Sequence, residues 1–483
     1  MLPAGRIKRR QAGVLPGGSC HPGRHVQLTG VGADRLGTGQ RTPDRLVVRT
    51  VPVADGGELL ARLPRQGAGG LSPPGAVAWI RHGVGLVGWG EAASISLPAG
   101  EDRFTAGEKW LRALFETAAV DDRVGLAGCG PVAFGSFTFD PASDGSLLVV
   151  PRTVMGRWAG RTWRTTISDS TSRQDSAAEH SARAECSDSG PAGERQDGPL
   201  AVSLRADPSH PPGDIRWHDG SLSAPQWQRA VSLAVQRISL GSLAKVVLAR
   251  DLHATAPEPI DVRVVLRRLA ERYPDCYAFA CGGLTGATPE LLIRREGRQV
   301  SSYVLAGTAG RGGTTAQDAE LGAALLASAK DAAEHSYGVD SVRDALAPLC
   351  DRLDIEPQPS LLRLANVQHL ATAVSGTLAR DASALALAAA LHPTAAVCGT
   401  PADAAMELIR ELEGMDRGRY AGPVGWVDAR GNGEWGIALR CGQLSGRQAR
   451  LFAGCGIVAG SDPGAELAEA QAKFRPMQDA LDG

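Results

Sequence analysis

Short apolar runs punctuated by glycine and proline begin near Arg45. Arg45–Val53, Ala76–Ile80 and Val84–Trp89 read as strands. From Arg103 to Ala118 the spacing turns helical, with Trp110, Leu111, Leu114 and Phe115 on one stripe. Pro131–Phe139 and Ser146–Val150 return to strand character. Farther on, Ala224–Leu240, Val262–Arg272, Ala382–Leu391, Ala402–Leu412 and Glu466–Leu481 carry helical patterns, and Ala316–Leu349 is a long helical region broken once. Between them Ala244–Ala254, Tyr277–Arg294, Gln299–Leu305 and Val367–Leu378 predict strands, with a tight turn at Glu296-Gly297. Gly422–Asp428, Gly433–Cys441 and Ala449–Ala453 predict a meander around Asn432-Gly433. Consecutive strands joined by hairpin turns, with helices packed outside, imply an α+β fold dominated by antiparallel sheet.

The texture changes along the chain. Residues 1–44 are rich in Gly, Arg and Pro without periodicity and read as a disordered extension. Met1 to Gln40 lacks the apolar core of roughly 7–15 residues that a secretory signal requires. Residues 45–166 form a sheet-rich N-terminal portion. Residues 167–199 are rich in Ser, Asp, Gly and Gln with no aliphatic stripe, and read as a mobile surface insertion. The alternative reading of that stretch is a boundary between independent domains. Residues 200–483 hold most of the candidate chemistry.

Charge narrows the choice of partners. The 483 residues carry 51 basic and 52 acidic side chains, a formal net charge of -1. That balance removes the electrostatic case for a nucleic-acid or membrane-surface protein. No run of about 18 apolar residues occurs, so nothing in the sequence predicts a membrane span. The nine cysteines are scattered, with neither a CxxC nor zinc spacing, which suits a reducing cytoplasm. Only five of the 51 basic residues are lysines: Lys8, Lys109, Lys245, Lys330 and Lys473. Arginine keeps its charge at any accessible pH, whereas a buried lysine can lose its proton and act as a base. Lysines that persist in such a chain are candidates for work a guanidinium cannot do.

Several residues could carry chemistry. Glu466 and Glu469 lie three apart on one helix face with Lys473 a turn beyond, and Asp331 and Glu334 form a second such pair. Adjacent carboxylates repel, so each pair is either solvated or compensated by a cation; a hard ion such as Mg²⁺ prefers oxygen ligands of this kind. Taken alone, such spacing is most often a solvated helix face. Lys245 opens an apolar strand, where burial would favour its neutral form; the competing reading is a lysine that snorkels to solvent. Glu290 sits between Pro289 and two leucines, where a carboxyl can stay protonated and serve as an acid, or simply cap a strand end. Leu305–Gly310 (LAGTAG) and Ala453–Val458 (AGCGIV) read as small-residue loops following strands, able to bring backbone N–H groups close to a carboxylate, or as ordinary turns. Arg440 could clamp a carboxylate, although a surface arginine is the default. On residue type alone His369 and His392 read as structural.

Taken in order, KVVLAR, GATPELL, LAGTAGRG, KDAAEH, VQHLATAVSGTL, LHPTAAVCGTP, YAGPVGWVDARGNGEWGIALR, LFAGCGIVAGSDP and ELAEAQAKF resemble the chorismate-utilising enzymes. That family includes isochorismate synthases, salicylate synthases, anthranilate synthase large subunits and aminodeoxychorismate synthases. The resemblance is dense from Ala224 to Leu481 and thinner before it, at GWGEAA and FGSFTFD. It implies a single two-lobed α+β unit, with large antiparallel sheets flanked by helices as in anthranilate synthase component I. It also implies a site for chorismate and Mg²⁺. By the same resemblance Glu334 and Glu466 hold the metal, with Glu469 beside it or acting through water. Ala306, Gly307, Thr308, His369, Arg440, Gly454, Gly456 and Lys473 would contact the substrate.

Lys245 discriminates within the family, whose ammonia-adding members resemble this chain but carry glutamine there, whereas its water-adding members carry lysine. Aminodeoxychorismate synthases place a nucleophilic lysine where this chain has Ala306. The resemblance thus implies that Lys245 deprotonates a water attacking C2 while Glu290 protonates the departing C4 hydroxyl, giving isochorismate. No glutaminase subunit is implied, and the expected state is a monomer or weak homo-oligomer. Salicylate synthase, which continues by eliminating pyruvate, is the main alternative; a non-catalytic scaffold binding chorismate or metal is another. YAGPVGW and GSDP lean towards the menaquinone pathway rather than siderophore synthesis. Ala395, Leu467 and Leu284 depart from the family's usual proline, tryptophan and phenylalanine, and bear on the substrate pocket.

Overall fold

The computed structural model describes residues 40–64, 75–170 and 215–483. Most of the expected extension and of the expected insertion lie outside these residues. At the insertion's edge, the strand Arg161–Asp169 carries sheet pairing into the stretch expected to begin at residue 167.

Two large sheets organise the molecule. The first, 13-stranded, runs in spatial order Arg216–Asp219, Lys245–Thr255, Gln448–Ile457, Cys441–Ser445, Leu284–Thr288, Tyr277–Cys281, Val77–Arg81, Val84–Trp89, Thr153–Trp158, Arg161–Asp169, Leu46–Pro52 and Ala119–Asp122; the short Gly399–Thr400 pairs with the start of Lys245–Thr255. The second, 10-stranded, runs Cys350–Ile355, Val367–Leu378, Gln299–Gly310, Leu291–Glu296, Gly433–Ile437, Pro423–Asp428, Val132–Ser136, Ser146–Val150 and Ala93–Leu97, with Ser360–Arg363 beside Val367–Leu378. Among the described strands, Leu46–Pro52 with Ala119–Asp122 is the parallel pairing; the others are antiparallel. The N-terminal and C-terminal portions share both sheets, since Val77–Arg81 pairs with Tyr277–Cys281 and Val132–Ser136 with Pro423–Asp428. The architecture is α+β, as expected.

Why these strands read as continuous apolar runs follows from period two. Successive side chains point to opposite faces, and both faces of the larger sheet are covered. Val77, Trp79, Leu86, Tyr277 and Phe279 join one core with Phe134, Val424 and Trp435 of the smaller sheet. Their neighbours Ala78, Ile80, Val87, Ala278 and Ala280 join a second core, closed by Leu266 and Leu269 of the Val262–Arg272 helix and Phe474 and Met477 of the Pro463–Asp482 helix. No helix among the described residues is long and apolar enough to cross a membrane.

Helix ends follow capping chemistry. The long helical region breaks at Ser328 into Thr315–Ala327 and Ala329–Leu346, and the Ser328 hydroxyl accepts from the Asp331 N–H at 3.2 Å. Asp462 caps Pro463–Asp482 by accepting from the Ala465 N–H at 2.8 Å. The cap fixes where Glu466 and Glu469 project.

Two expectations need correction. Tyr277–Arg294 is not one strand: it turns back at Gly282 and Gly283, both with positive φ, and breaks again at Pro289-Glu290. That second break carries the chain from the larger sheet to the smaller. Leu305–Gly310 and Ala453–Val458 are not loops after strands. The strands Gln299–Gly310 and Gln448–Ile457 run through nearly all of both, with a bulge at Gly307 (φ 75°) in the first. Small residues there reflect crowding above the strand rather than turn formation. A Cβ added at Gly456 would fall 2.2 Å from Glu334 Oε1 and 3.0 Å from Lys245 Cε.

Candidate active site

The chain also crosses between the sheets at Ala438–Arg440, running from Gly433–Ile437 into Cys441–Ser445. This crossing lies beside the one at Pro289-Glu290, and backbone bonds tie the two together. The Ile437 N–H donates to the Glu290 carbonyl and the Ala287 N–H to the Arg440 carbonyl, each at 3.2 Å. Glu290 and Arg440, the latter at φ 49°, therefore enter one cavity from paired junctions. About 670 Å³ of space, part of it open to solvent, lies in and over the cavity. Its wall includes Glu290, Glu334, His369, Arg440 and Lys473, together with Ala306–Thr308, Gly454 and Gly456.

Glu290 is 5% exposed. Burial raises its pKa to about 8 even though Lys245, Lys473 and Arg440 each pull it down. Its carboxyl thus holds a proton at neutral pH, which is what a proton donor needs. Arg440 is buried, not at the surface. Its guanidinium donates to His369 Nε2 at 3.1 Å, while His369 Nδ1 lies 3.3 Å from the Gly307 carbonyl and 3.2 Å from Thr308 Oγ1. With Nε2 accepting, the proton sits on Nδ1. Burial, then Arg440 and Lys473, hold the His369 pKa well below its usual value, so the ring is neutral. His369 is therefore a positioning group for Arg440 on the cavity wall, beyond the structural part that its residue type suggested. Arg440 and the Lys473 ammonium together favour an anionic ligand.

Lys245 is fully buried but does not itself line the cavity. It stands behind Gly456 and Glu334, its Nζ 3.3 Å from Glu334 Oε1 without a hydrogen bond of good geometry. Sequence reasoning did not anticipate this ion pair, which gives the buried amine a carboxylate partner.

The other two glutamates are also paired with lysines. Lys330 Nζ lies 2.9 Å from Glu466 Oε1, and Lys473 Nζ 2.6 Å from Glu469 Oε1. Glu466, Glu469 and Cys455 bring ligand atoms within 4.8 Å of one another. Glu334, the other expected ligand, lines the cavity from the Ala329–Leu346 helix. Burial, then the neighbouring Glu469 charge, raise the Glu466 pKa. For Glu469 burial acts upward, but Lys473 and a hydrogen bond with Thr308 outweigh it and hold the group low. Two crowded carboxylates whose repulsion a cation would relieve fit a hard divalent ion.

Sequence reasoning did not single out Arg417, Tyr420 or Phe452, which also line the cavity. Tyr420 and Phe452 stack at 5.1 Å. Both fall inside motifs already quoted, which was the available signal. Arg417 is buried against Glu413 with an Nε–Oε2 distance of 2.9 Å, and it donates to the Val247 and Val397 carbonyls. Its i,i+4 spacing from Glu413 looks like an ordinary surface pair. None of Leu284, Ala395 and Leu467 lines the cavity.

The profile of the chorismate binding enzymes matches residues 79–482. The chain belongs to that family. It is 44% identical over 278 residues to isochorismate synthase DhbC of Bacillus subtilis, covering 55% of this chain and 70% of that protein. Its fold is similar to MenF, the menaquinone-specific isochorismate synthase of Escherichia coli, with a TM-score of 0.70, 26% identity and coverage of 92% and 96% of the two chains. Anthranilate synthase component I of Streptococcus pneumoniae shares the fold, at TM-score 0.60 and 21% identity over 88% of this chain and 98% of that one. The family binds chorismate, a dicarboxylate.

Proposed function

We propose that the protein is an isochorismate synthase. In this reading Arg440 and Lys473 orient the substrate's carboxylates, and Glu290 gives its proton to the hydroxyl leaving C4. Lys245 takes a proton from the water that adds at C2. One water enters and one leaves, so the product is an isomer of the substrate. Mg²⁺ belongs to the same reading. Glu466 and Glu469, with Glu334 reaching from the cavity wall, would hold it, and its charge would offset that of the acids and a substrate carboxylate. Each proton transfer by a positioned side chain typically contributes about 10²–10⁴-fold.

The observation that carries the reading is the Glu290 carboxyl, protonated near neutral pH on the wall of a cavity that also presents fixed cations. Likeness to isochorismate synthases supports the product, and YAGPVGW, GSDP and the similarity to MenF support a place in menaquinone synthesis. The test is chromatographic identification of products from chorismate, with and without Mg²⁺ and ammonium. Isochorismate alone, formed only with Mg²⁺, is expected. Salicylate with pyruvate, or a product that needs ammonium, would overturn the assignment. A strain lacking the protein is expected to lose menaquinone; an unchanged quinone pool would overturn the pathway.

A further inference from the structure

Three of the five lysines in the chain meet three glutamates in one place: Lys245 with Glu334, Lys330 with Glu466 and Lys473 with Glu469. The three pairs differ in one respect. The Lys245 side chain is 0% exposed and that of Lys473 15%, whereas that of Lys330 is 39% exposed. Lys473 is further fixed by donating to the Gly454 carbonyl at 2.9 Å. Lys330 therefore reaches water more freely than either of the other two. Its partner is 3% exposed and sits in the group with Glu469 and Cys455.

We propose that Lys330 is an exchangeable counter-ion for Glu466, holding that carboxylate until a divalent cation arrives and swinging into solvent when it does. The inference rests on the metal reading given above and adds a residue that sets metal affinity. The choice of lysine fits the task. A guanidinium would grip Glu466 with a planar fork, whereas an ammonium on a flexible stem is a compact, well-hydrated charge that leaves readily. In a chain that uses arginine for nearly every other cation, lysine at this position marks a contact built to break. Asp331, the next residue, lies within the field of the Lys330 ammonium and favours keeping it nearby after release.

The test is Mn²⁺ binding to the full chain without chorismate, followed by electron paramagnetic resonance and calorimetry. K330Q is expected to bind Mn²⁺ about fivefold tighter than wild type, the size of one partly exposed ion pair. K330R, which retains a stronger fork, is expected to bind several-fold more weakly, and E466Q to lose most binding. K109Q, with its substitution on a distant exposed helix face, should match wild type. Thermal melts of K330Q and K330R establish that both are folded. Wild-type binding with K330Q equal or weaker would overturn the counter-ion role while leaving the metal reading intact. No Mn²⁺ binding by either wild type or K330Q would overturn the metal reading itself, and this inference with it.

Discussion

Replacing Glu290 with glutamine separates catalysis from stability. Glu290 is buried, and its pKa is displaced from the ordinary 4.5 to about 8. In the unfolded chain the carboxyl loses its proton near 4.5, whereas in the folded protein it keeps the proton until about 8. The folded state therefore binds more protons between those values, and stability falls as pH rises through that window. At about 1.4 kcal/mol per pH unit, the loss reaches several kcal/mol by pH 8. Glu290→Gln removes a titrating group without changing the shape of the side chain. The variant should match wild type in melting temperature near pH 4.5 and exceed it by several degrees at pH 8. Its turnover should fall by about 10²–10⁴-fold at every pH, because the amide cannot donate the proton. Wild-type turnover should decline above about pH 8 as the acid ionises. The assays are thermal melts across pH 4.5–8.5 and isochorismate formation over the same range. If the gap in melting temperature did not widen with pH, the carboxyl would not be held neutral and the acid assignment would go with it.

Further outcomes follow from the same geometry. Lys245→Ala should reduce turnover by about 10²–10⁴-fold while calorimetry still detects chorismate binding; turnover within tenfold of wild type would remove Lys245 as the base. Gly456→Ala would drive a methyl against Glu334 Oε1 and Lys245 Cε. Because the carboxylate end can move, the melting temperature should change little, but displacing the pair should cost on the order of 10²-fold in kcat; unimpaired kinetics would show that the pair's position is immaterial. Arg440→Lys loses the planar fork and its bond to His369, so KM for chorismate should rise by roughly ten- to a hundredfold with a smaller change in kcat. An unchanged KM would remove Arg440 from the substrate contacts.

Helices were the most legible part of the fold. Amphipathic spacing alone locates Val262–Arg272, Ala384–Leu391 and Ala402–Leu412 to within a few residues. Strands with one face in each core were also readable, because both faces are apolar. Cys350–Ile355 was not, since it is a half-exposed strand at the sheet edge whose alternating charges resemble a loop. Thr153–Trp158 and Arg161–Asp169 escaped for a related reason: threonine and arginine supply much of their length. The glycines of LAGTAG and AGCGIV signal a need for space, and sequence cannot say whether turn or cavity requires it. Of the three lysine–glutamate pairs, Lys473 with Glu469 is visible as i,i+4 spacing. The other two join separate elements and depend on how the helices lie against the Lys245–Thr255 and Gln448–Ile457 strands.

The twin passages between the sheets have a consequence for how this enzyme can be altered. Glu290 and Arg440 are fastened to each other by rungs of main-chain bonding, so their separation is as rigid as the ladders themselves and indifferent to changes in surface loops. The acidic residues opposite ride on two helices, whose tilt can shift with packing. One jaw of the vice is cast in place and the other adjustable, so substitutions that repack the helices should shift the acidic residues without moving Glu290 or Arg440.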